Sequence, residues 1–176
     1  NHIGFFPGSR LNEVKKHIPI INDVINLIHK RNPKEIFIIA NSENIDEKIY
    51  EENFSNKDYV KIITNENIYK TIDMCKVALA ASGTITLQIA LKKVPMCVFY
   101  KLSNPTYLIA KLLVKTKFIS LVNIVLEKKA VHEFIQGDAS SENIYSEIDK
   151  LINNMSYRNE MINNLDLLEK KLLNDS

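Results

Sequence analysis

The feature that most constrains the fold is an alternation of short apolar runs with longer amphipathic segments, which begins within the first residues. Several apolar runs are rich in β-branched and aromatic residues, as strands buried on both faces are. The predicted strands cover residues 3–6, 35–40, 60–64, 77–81 and 96–100. Because strands that alternate with helices build parallel sheets, the pattern predicts an α/β fold with a Rossmann-like, doubly wound parallel sheet.

Helical periodicity follows each predicted strand. The predicted helices cover residues 11–30, 44–53, 68–76, 85–92 and 105–115, with an irregularity in the first of them at Pro19. A loop-like stretch comes next, and two C-terminal helices follow, at residues 140–154 and within the terminal segment 155–176. Ser141 is the predicted N-cap of the first of these. The sequence has no internal repeat or linker, so residues 1–176 are predicted to form a single domain.

Charge and cysteine content exclude several classes of protein. Twenty-three basic and twenty-one acidic residues nearly cancel, and no basic block alternates with aromatics, so nucleic acid is not an expected partner. Cys75 and Cys97 stand apart, each next to an apolar run, which favours buried free thiols in a reducing cytoplasm over a disulfide or a zinc site. No stretch approaches the roughly 18 apolar residues of a membrane-spanning helix. Because a strand is predicted almost at Asn1, we expect a piece of a longer protein.

Two glycine turns follow the first and fourth predicted strands. Pro-Gly-Ser-Arg occupies residues 7–10, and Ser-Gly-Thr occupies residues 82–84. In an open parallel sheet, ligands bind beyond the carboxyl ends of the strands where the strand order reverses, usually between these two strands. Each turn leads into a helix whose first N–H groups are unpaired, so the two turns together suit a diphosphate. Arg10 would add a planar, permanently charged group that holds phosphate oxygens.

The turns match no common nucleotide-binding motif. Neither has the Gly-Lys-Ser/Thr of a P-loop or the G-x-G-x-x-G of a dinucleotide site, which disfavours NTPases and dehydrogenases. No Asp-x-Asp pair offers a metal a bridging position, so we expect a diphosphate to be held without a metal or another cofactor. A simpler alternative stays open, in which each glycine serves only its turn and Ser9 only caps a helix.

Four segments, taken in order, resemble a known family. They are PGSRLNEVKKHIP, ALAASGTITLQIALKKVPMCVFYK, LVKTKFISLVNI and VHEFIQ, which begin at residues 7, 78, 113 and 131. Together they resemble the C-terminal half of lipid-A-disaccharide synthases, bacterial GT-B glycosyltransferases of lipid A biosynthesis, over about residues 3–151. The resemblance implies that the full enzyme transfers 2,3-diacylglucosamine from UDP to 2,3-diacylglucosamine 1-phosphate. It also implies that this half binds the donor, UDP-2,3-diacylglucosamine.

The resemblance further implies which residues contact the donor. Arg10 would stabilise the charge that develops on the leaving diphosphate. The implied donor-binding residues are Gly8, Ser9, Arg10, Glu13, Ser82, Gly83, Thr84, Gln88, Asn123, Glu133 and Gln136. Plainer roles stay open for some of them: an exposed helix carboxylate for Glu13, a turn residue for Asn123 and a surface amide for Gln136.

Three positions depart from the family pattern. Gln88 replaces a glutamate that grips the ribose, Val122 replaces a proline before Asn123, and His132 replaces a proline before Glu133. Since an amide offers the ribose hydroxyls only one acceptor, donor affinity would fall by about 1–3 kcal/mol. Two alternatives therefore stay open: a non-catalytic remnant or interaction domain, and another UDP-N-acetylglucosamine-dependent glycosyltransferase or epimerase.

The resemblance places the acceptor site and the general base in an N-terminal half that this chain lacks. No histidine is predicted to be the base, because His2 and His17 are predicted at the surface or a strand edge, His29 on a helix, and His132 at the departure described above. We expect the chain to bind donor without turnover and to need the missing half or a second chain as its partner.

Residues 104–121 are predicted as a core crossover helix or as a basic amphipathic helix on the inner face of the inner membrane.

Overall fold

The computed structural model describes residues 1–64, 67–103 and 117–174. Within these ranges six strands form one parallel sheet. The strands are β1 (His2–Phe6), β2 (Phe37–Asn41), β3 (Val60–Thr64), β4 (Cys75–Ala81), β5 (Met96–Tyr100) and β6 (His132–Ile135). Their order across the sheet is β3-β2-β1-β4-β5-β6, so the strand order reverses between β1 and β4. The predicted Rossmann-like parallel sheet is confirmed.

Helices separate the strands along the chain. In the described ranges they are α1 (Leu11–Arg31), α2 (Lys48–Phe54), α3 (Ile68–Asp73), α4 (Ile85–Leu91), α5 (Leu121–Leu126), α6 (Ser141–Asn153) and α7 (Met155–Asn174). A 3₁₀ turn, Gln136–Asp138, follows β6. α6 packs beside α1 and against β4 and β5, whereas α7 packs against α4 and α5. None of these described helices is long and apolar enough to cross a membrane.

β6 and α5 lie in the stretch for which the sequence pattern predicts a loop, so that prediction was wrong. β6 has only four residues and pairs with β5 alone, at the edge of the sheet. His132 and Glu133 within it are only partly buried. A short edge strand with polar side chains lacks the continuous apolar run by which a buried strand is predicted. The helix predicted at residues 105–115 lies outside the described residues.

The ends of the helices differ from prediction in smaller ways. α1 continues through Pro19, whose side chain is exposed. α2 begins at Lys48 rather than at residue 44. The N-cap of α6 is Ser140, whose hydroxyl oxygen accepts a hydrogen bond from the Asn143 N–H at 3.2 Å, and the predicted cap Ser141 is the first helical residue. Either serine could supply the capping oxygen, so the sequence alone does not choose between them.

The core lies on the central strands. All five residues of β2 are buried, and so are nearly all residues of β1, β4 and β5. Cys75 and Cys97 are buried free thiols, as predicted. Burial raises the pKa of both thiols, so both stay protonated at neutral pH and act as small apolar side chains.

Candidate functional site

A cleft of about 510 Å³ opens at the carboxyl ends of β1, β2 and β4. Both glycine turns line it, because β1 and β4 are neighbours and each turn directly follows its strand. This is the point where the strand order reverses, as the sequence predicts. Of the predicted donor-binding residues, the cleft brings together Gly8, Ser9, Arg10, Glu13, Ser82, Gly83 and Thr84.

The first turn is shaped by Gly8. Its φ is +117°, a value that residues with a Cβ rarely adopt. A Cβ added at this position would also overlap the Glu13 carboxyl group, whose Cδ would lie 2.6 Å away. Glu13 is the third residue of α1, the position from which a glutamate can reach back to the N-cap backbone N–H. Glycine is therefore required here both by the backbone angle and by the close approach of the Glu13 side chain.

The Glu13 carboxyl group faces the donors of this turn. Burial raises its pKa, and the backbone N–H and charge of Arg10, the Ser9 N–H and the Tyr100 hydroxyl favour the ionised form and oppose the rise. Burial raises the pKa of Tyr100, at the end of β5; the neighbouring Glu13 carboxyl group raises this pKa further, and Arg10 opposes the rise. The first turn is thus already faced by a carboxylate from its own chain, and Tyr100 is a neighbour that the sequence did not reveal.

The second turn is open. Gly83 has a φ of +155°, and apart from its two neighbours in the chain no heavy atom of the described residues lies within 4 Å of the place a Cβ would take. The Gly83 and Thr84 N–H groups donate to no acceptor in the described part of the chain. The Ser82 hydroxyl, in contrast, donates to the Ile119 carbonyl at 2.9 Å. These two N–H groups belong to residues that line the cleft, while the Ser82 side chain connects the turn to the chain before α5.

His17 hydrogen-bonds to the backbone of the first turn. The prediction that it lies at the surface or a strand edge was wrong. Its side chain is completely buried. Nδ1–H donates to the Pro7 carbonyl at 2.8 Å, and Nε2 accepts from the Lys101 N–H at 3.2 Å. Burial lowers the pKa of His17 to about 4, so the ring is neutral at physiological pH. Its ring centroid lies 4.3 Å from that of Phe99, and His17 thus joins the first turn to the end of β5.

Glu133 lies outside the cleft lining and holds the backbone behind the second turn. Its carboxylate accepts from the Ile119 N–H at 3.1 Å and from the Ser120 N–H at 2.6 Å. Because the Ile119 carbonyl accepts from Ser82, one peptide segment connects β6 with the second turn. The sequence indicates Glu133 but not this connection, which joins residues far apart in the chain.

Asn123 also makes structural hydrogen bonds. It is completely buried, its Nδ2 donates to the Val131 carbonyl at 2.8 Å, and its Oδ1 accepts from the N–H groups of Ala130 and Val131 at 2.7 and 2.9 Å. These contacts fix α5 against the start of β6. Val122, beside it, is part of the core.

Gln136 and Gln88 complete the predicted set. Gln136 pairs with the backbone of Leu102, accepting at 2.7 Å and donating at 3.4 Å, and so joins the end of β6 to the chain after β5. Gln88 is partly buried on α4 and does not line the cleft. The structure does not bring Asn123, Glu133, Gln136 or Gln88 into the cleft, and their contact with a donor stays a prediction.

The cleft extends further than predicted towards β2. Its additional polar lining comes from the last residue of β2 and the segment that follows, and an apolar side chain is supplied by the start of α3. These residues are Asn41, Ser42, Glu43, Asn44 and Ile68. The signal for the four polar residues was available, because they lie at the end of the strand that neighbours β1 or directly after it, whereas Ile68 follows β3. In the described residues, no group of three or more His, Cys, Asp or Glu side chains is placed to hold a metal ion.

Solved structures with a similar fold include an epimerase and a glycosyltransferase. The UDP-GlcNAc 2-epimerase of Neisseria meningitidis, bound to UDP-GlcNAc, superposes with a TM-score of 0.63 at 16% identity, over 99% of this chain and 45% of that chain. The glycosyltransferase SnogD of Streptomyces nogalater superposes with a TM-score of 0.59 at 14% identity, over 97% of this chain and 40% of that chain. At such low identity, the likeness shows the fold alone.

Sequence comparison is more specific. The lipid-A-disaccharide synthase of Geobacter sulfurreducens is 31% identical over 170 residues, and that of Coxiella burnetii is 34% identical over 171 residues. Each alignment covers 97% of this chain and 44% of the relative, so the chain spans less than half the length of these curated relatives. A family profile described as Lipid-A-disaccharide synthetase matches residues 1–174. The chain therefore belongs to the lipid-A-disaccharide synthase family.

Proposed function

We propose that this chain is the donor-binding half of a lipid-A-disaccharide synthase and binds UDP-2,3-diacylglucosamine. The observation that carries the proposal is the meeting of two glycine turns and Arg10 in one cleft at the strand-order reversal. Family membership supports a glycosyltransferase of lipid A biosynthesis as the activity of the whole protein. That protein would transfer the sugar to 2,3-diacylglucosamine 1-phosphate.

In this proposal the diphosphate rests on the second turn. The free N–H groups of Gly83 and Thr84 would donate to its oxygens. The Arg10 guanidinium, exposed at the edge of the cleft, would hold the same oxygens and stabilise the negative charge that grows as the bond to the sugar breaks. Fixed N–H dipoles and a permanent cation suffice for this task, so the step needs no metal from this chain.

The three residues that bond to backbone would act by positioning. Glu133 holds the segment to which Ser82 is bonded, and Asn123 holds the helix that follows that segment. Gln136 fixes the chain after β5. Gln88, on the helix that the second turn begins, is the proposed ribose contact. Its amide oxygen would accept a hydrogen bond from one ribose hydroxyl, whereas the glutamate of the family accepts from both.

The acceptor and the general base would come from another half or another chain. Residues 1–176 would act as one donor-binding domain, and the complete enzyme would work in the cytoplasm, at the inner face of the membrane that supplies its acylated substrates.

The second candidate is a UDP-GlcNAc-dependent enzyme of another kind, favoured by the fold likeness to the Neisseria epimerase. Comparing acylated with unacylated UDP-glucosamine as ligands separates the two, because only a lipid A enzyme should prefer the acylated donor.

A titration with UDP tests the proposal. Calorimetry in metal-free buffer should give saturable binding, and amide NMR shifts should be largest at residues 8–10 and 82–84. Absence of binding at millimolar UDP, from a sample whose NMR spectrum is that of a folded protein, would favour a remnant that keeps the fold without the site.

A further inference from the structure

The two turns of the cleft differ in what faces them. Within residues 1–64, 67–103 and 117–174, the Gly83 and Thr84 N–H groups of the second turn have no acceptor, and the space beside Gly83 is open. In the first turn, the Glu13 side chain occupies the space beside Gly8. A helix N-terminus with a glycine turn is suited to an anion, and at the first turn that anion is a carboxylate of the protein itself.

The groups around Glu13 hold it in this place. The Arg10 and Ser9 N–H groups and the Arg10 charge come from its own turn, and the Tyr100 hydroxyl comes from β5. These are the same donors that a diphosphate would need in order to use the first turn. Two anions cannot share them without strong repulsion, since a partly buried site screens charge poorly.

We propose that Glu13 is an internal anion that occupies the first turn and must be displaced before a diphosphate can use it. The inference rests on the proposed donor site and adds a property to it: Glu13 weakens diphosphate binding while no ligand is present. When the ligand binds, the Arg10 guanidinium would exchange the Glu13 carboxylate for the diphosphate as its partner. The carboxylate would keep the Tyr100 hydroxyl as a partner after it moves.

Calorimetry with UDP and with inorganic diphosphate, in metal-free buffer at pH 7.5, tests this inference on three variants of the chain. Glu13→Gln removes the charge and keeps the shape, so both ligands should bind about tenfold more tightly. Glu13→Asp keeps the charge but withdraws it by one methylene, so binding should tighten by a smaller factor. Glu142→Gln, the same change in the first turn of α6 and outside the cleft, is the matched control and should leave affinity within about twofold of the unchanged chain.

NMR distinguishes a carboxylate that leaves the turn from one that only caps the helix, because the resonances of a structural cap should not shift when diphosphate binds. Diphosphate should shift the Glu13 side-chain carboxyl resonance together with the Ser9 and Arg10 amides, because the carboxylate leaves them. Unchanged affinity in both Glu13 variants would overturn the inference. Weaker binding in Glu13→Gln would also overturn it, and would make Glu13 a ligand-holding residue. If no variant binds UDP saturably although each is folded, the donor-site proposal fails, and the displacement inference fails with it.

Discussion

The cleft and the β6 side of the sheet use similar polar side chains for opposite purposes. In the cleft, Arg10 is exposed, and the Gly83 and Thr84 N–H groups of the second turn have no acceptor among the described residues. On the β6 side, meaning Asn123, Glu133 and Gln136 with their partners, every one of these side chains bonds to backbone of the same chain. Residues of one family motif set thus divide into side chains that line the cleft and side chains that bond to the chain's own backbone.

The largest effect should come from breaking the β6 side. Asn123→Ala removes three hydrogen bonds and leaves buried backbone groups of Ala130 and Val131 unpaired, so stability should fall by about 3 kcal/mol. Urea unfolding measures this loss. Asn153→Ala, an exposed asparagine at the end of α6, is the control and should cost about 0.5 kcal/mol or less. Equal losses in the two variants would contradict the structural role of Asn123.

A pH effect should come next, through His17. Burial lowers its pKa from 6.5 to about 4, so the folded protein binds fewer protons than the unfolded chain between these values. The contribution to stability is complete above pH 6.5 and is lost as the pH falls towards 4. The loss at pH 4.5, relative to neutral pH, should be about 2–3 kcal/mol. Urea unfolding at a series of pH values should show a steeper loss for the unchanged chain than for His17→Gln. Parallel curves would show that His17 titrates normally.

The cleft itself is tested by Arg10. Arg10→Ala should weaken UDP binding by about 2 kcal/mol, because a charged partner of the diphosphate is lost, and should leave stability almost unchanged at this exposed position. Calorimetry measures the first quantity and thermal unfolding the second. Arg31→Ala, at the other end of α1 where the guanidinium lies over the Tyr145 ring, is the matched control and should not alter UDP affinity. UDP affinity unchanged in Arg10→Ala would remove Arg10 from the donor site.

The smallest effect should come from Gln88. Gln88→Glu should tighten UDP by about 1 kcal/mol, since a carboxylate can accept from both ribose hydroxyls. Inorganic diphosphate, which has no ribose, should bind as before. The comparison of the two ligands by calorimetry is therefore its own control, and an equal response to both would show that Gln88 does not contact the ribose.

The sequence predicted most of the fold wherever the pattern depends on residues that are close together in the chain. Apolar runs predicted β1 to β5, and the turns at Gly8 and Gly83 pointed to the edge of the sheet where the cleft lies. It failed for β6, whose four residues carry two polar side chains, and for His17, which was predicted at a surface or strand edge. The predicted helix over residues 11–30 already contained the signal, because the spacing of His17 from Val14, Ile18 and Ile21 places it on the buried face of α1, but the prediction did not use that spacing.

By itself, the sequence determined the parallel α/β architecture, the two glycine turns and the position of Arg10, because strand burial, positive φ and helix starts depend on residues close together in the chain. Tertiary structure alone decided what each polar side chain faces. Glu133 reaches Ile119, His17 reaches Lys101, and Tyr100 meets Glu13, through contacts between segments far apart in sequence. Such pairings are set by strand order and helix packing, which no local pattern of residues specifies.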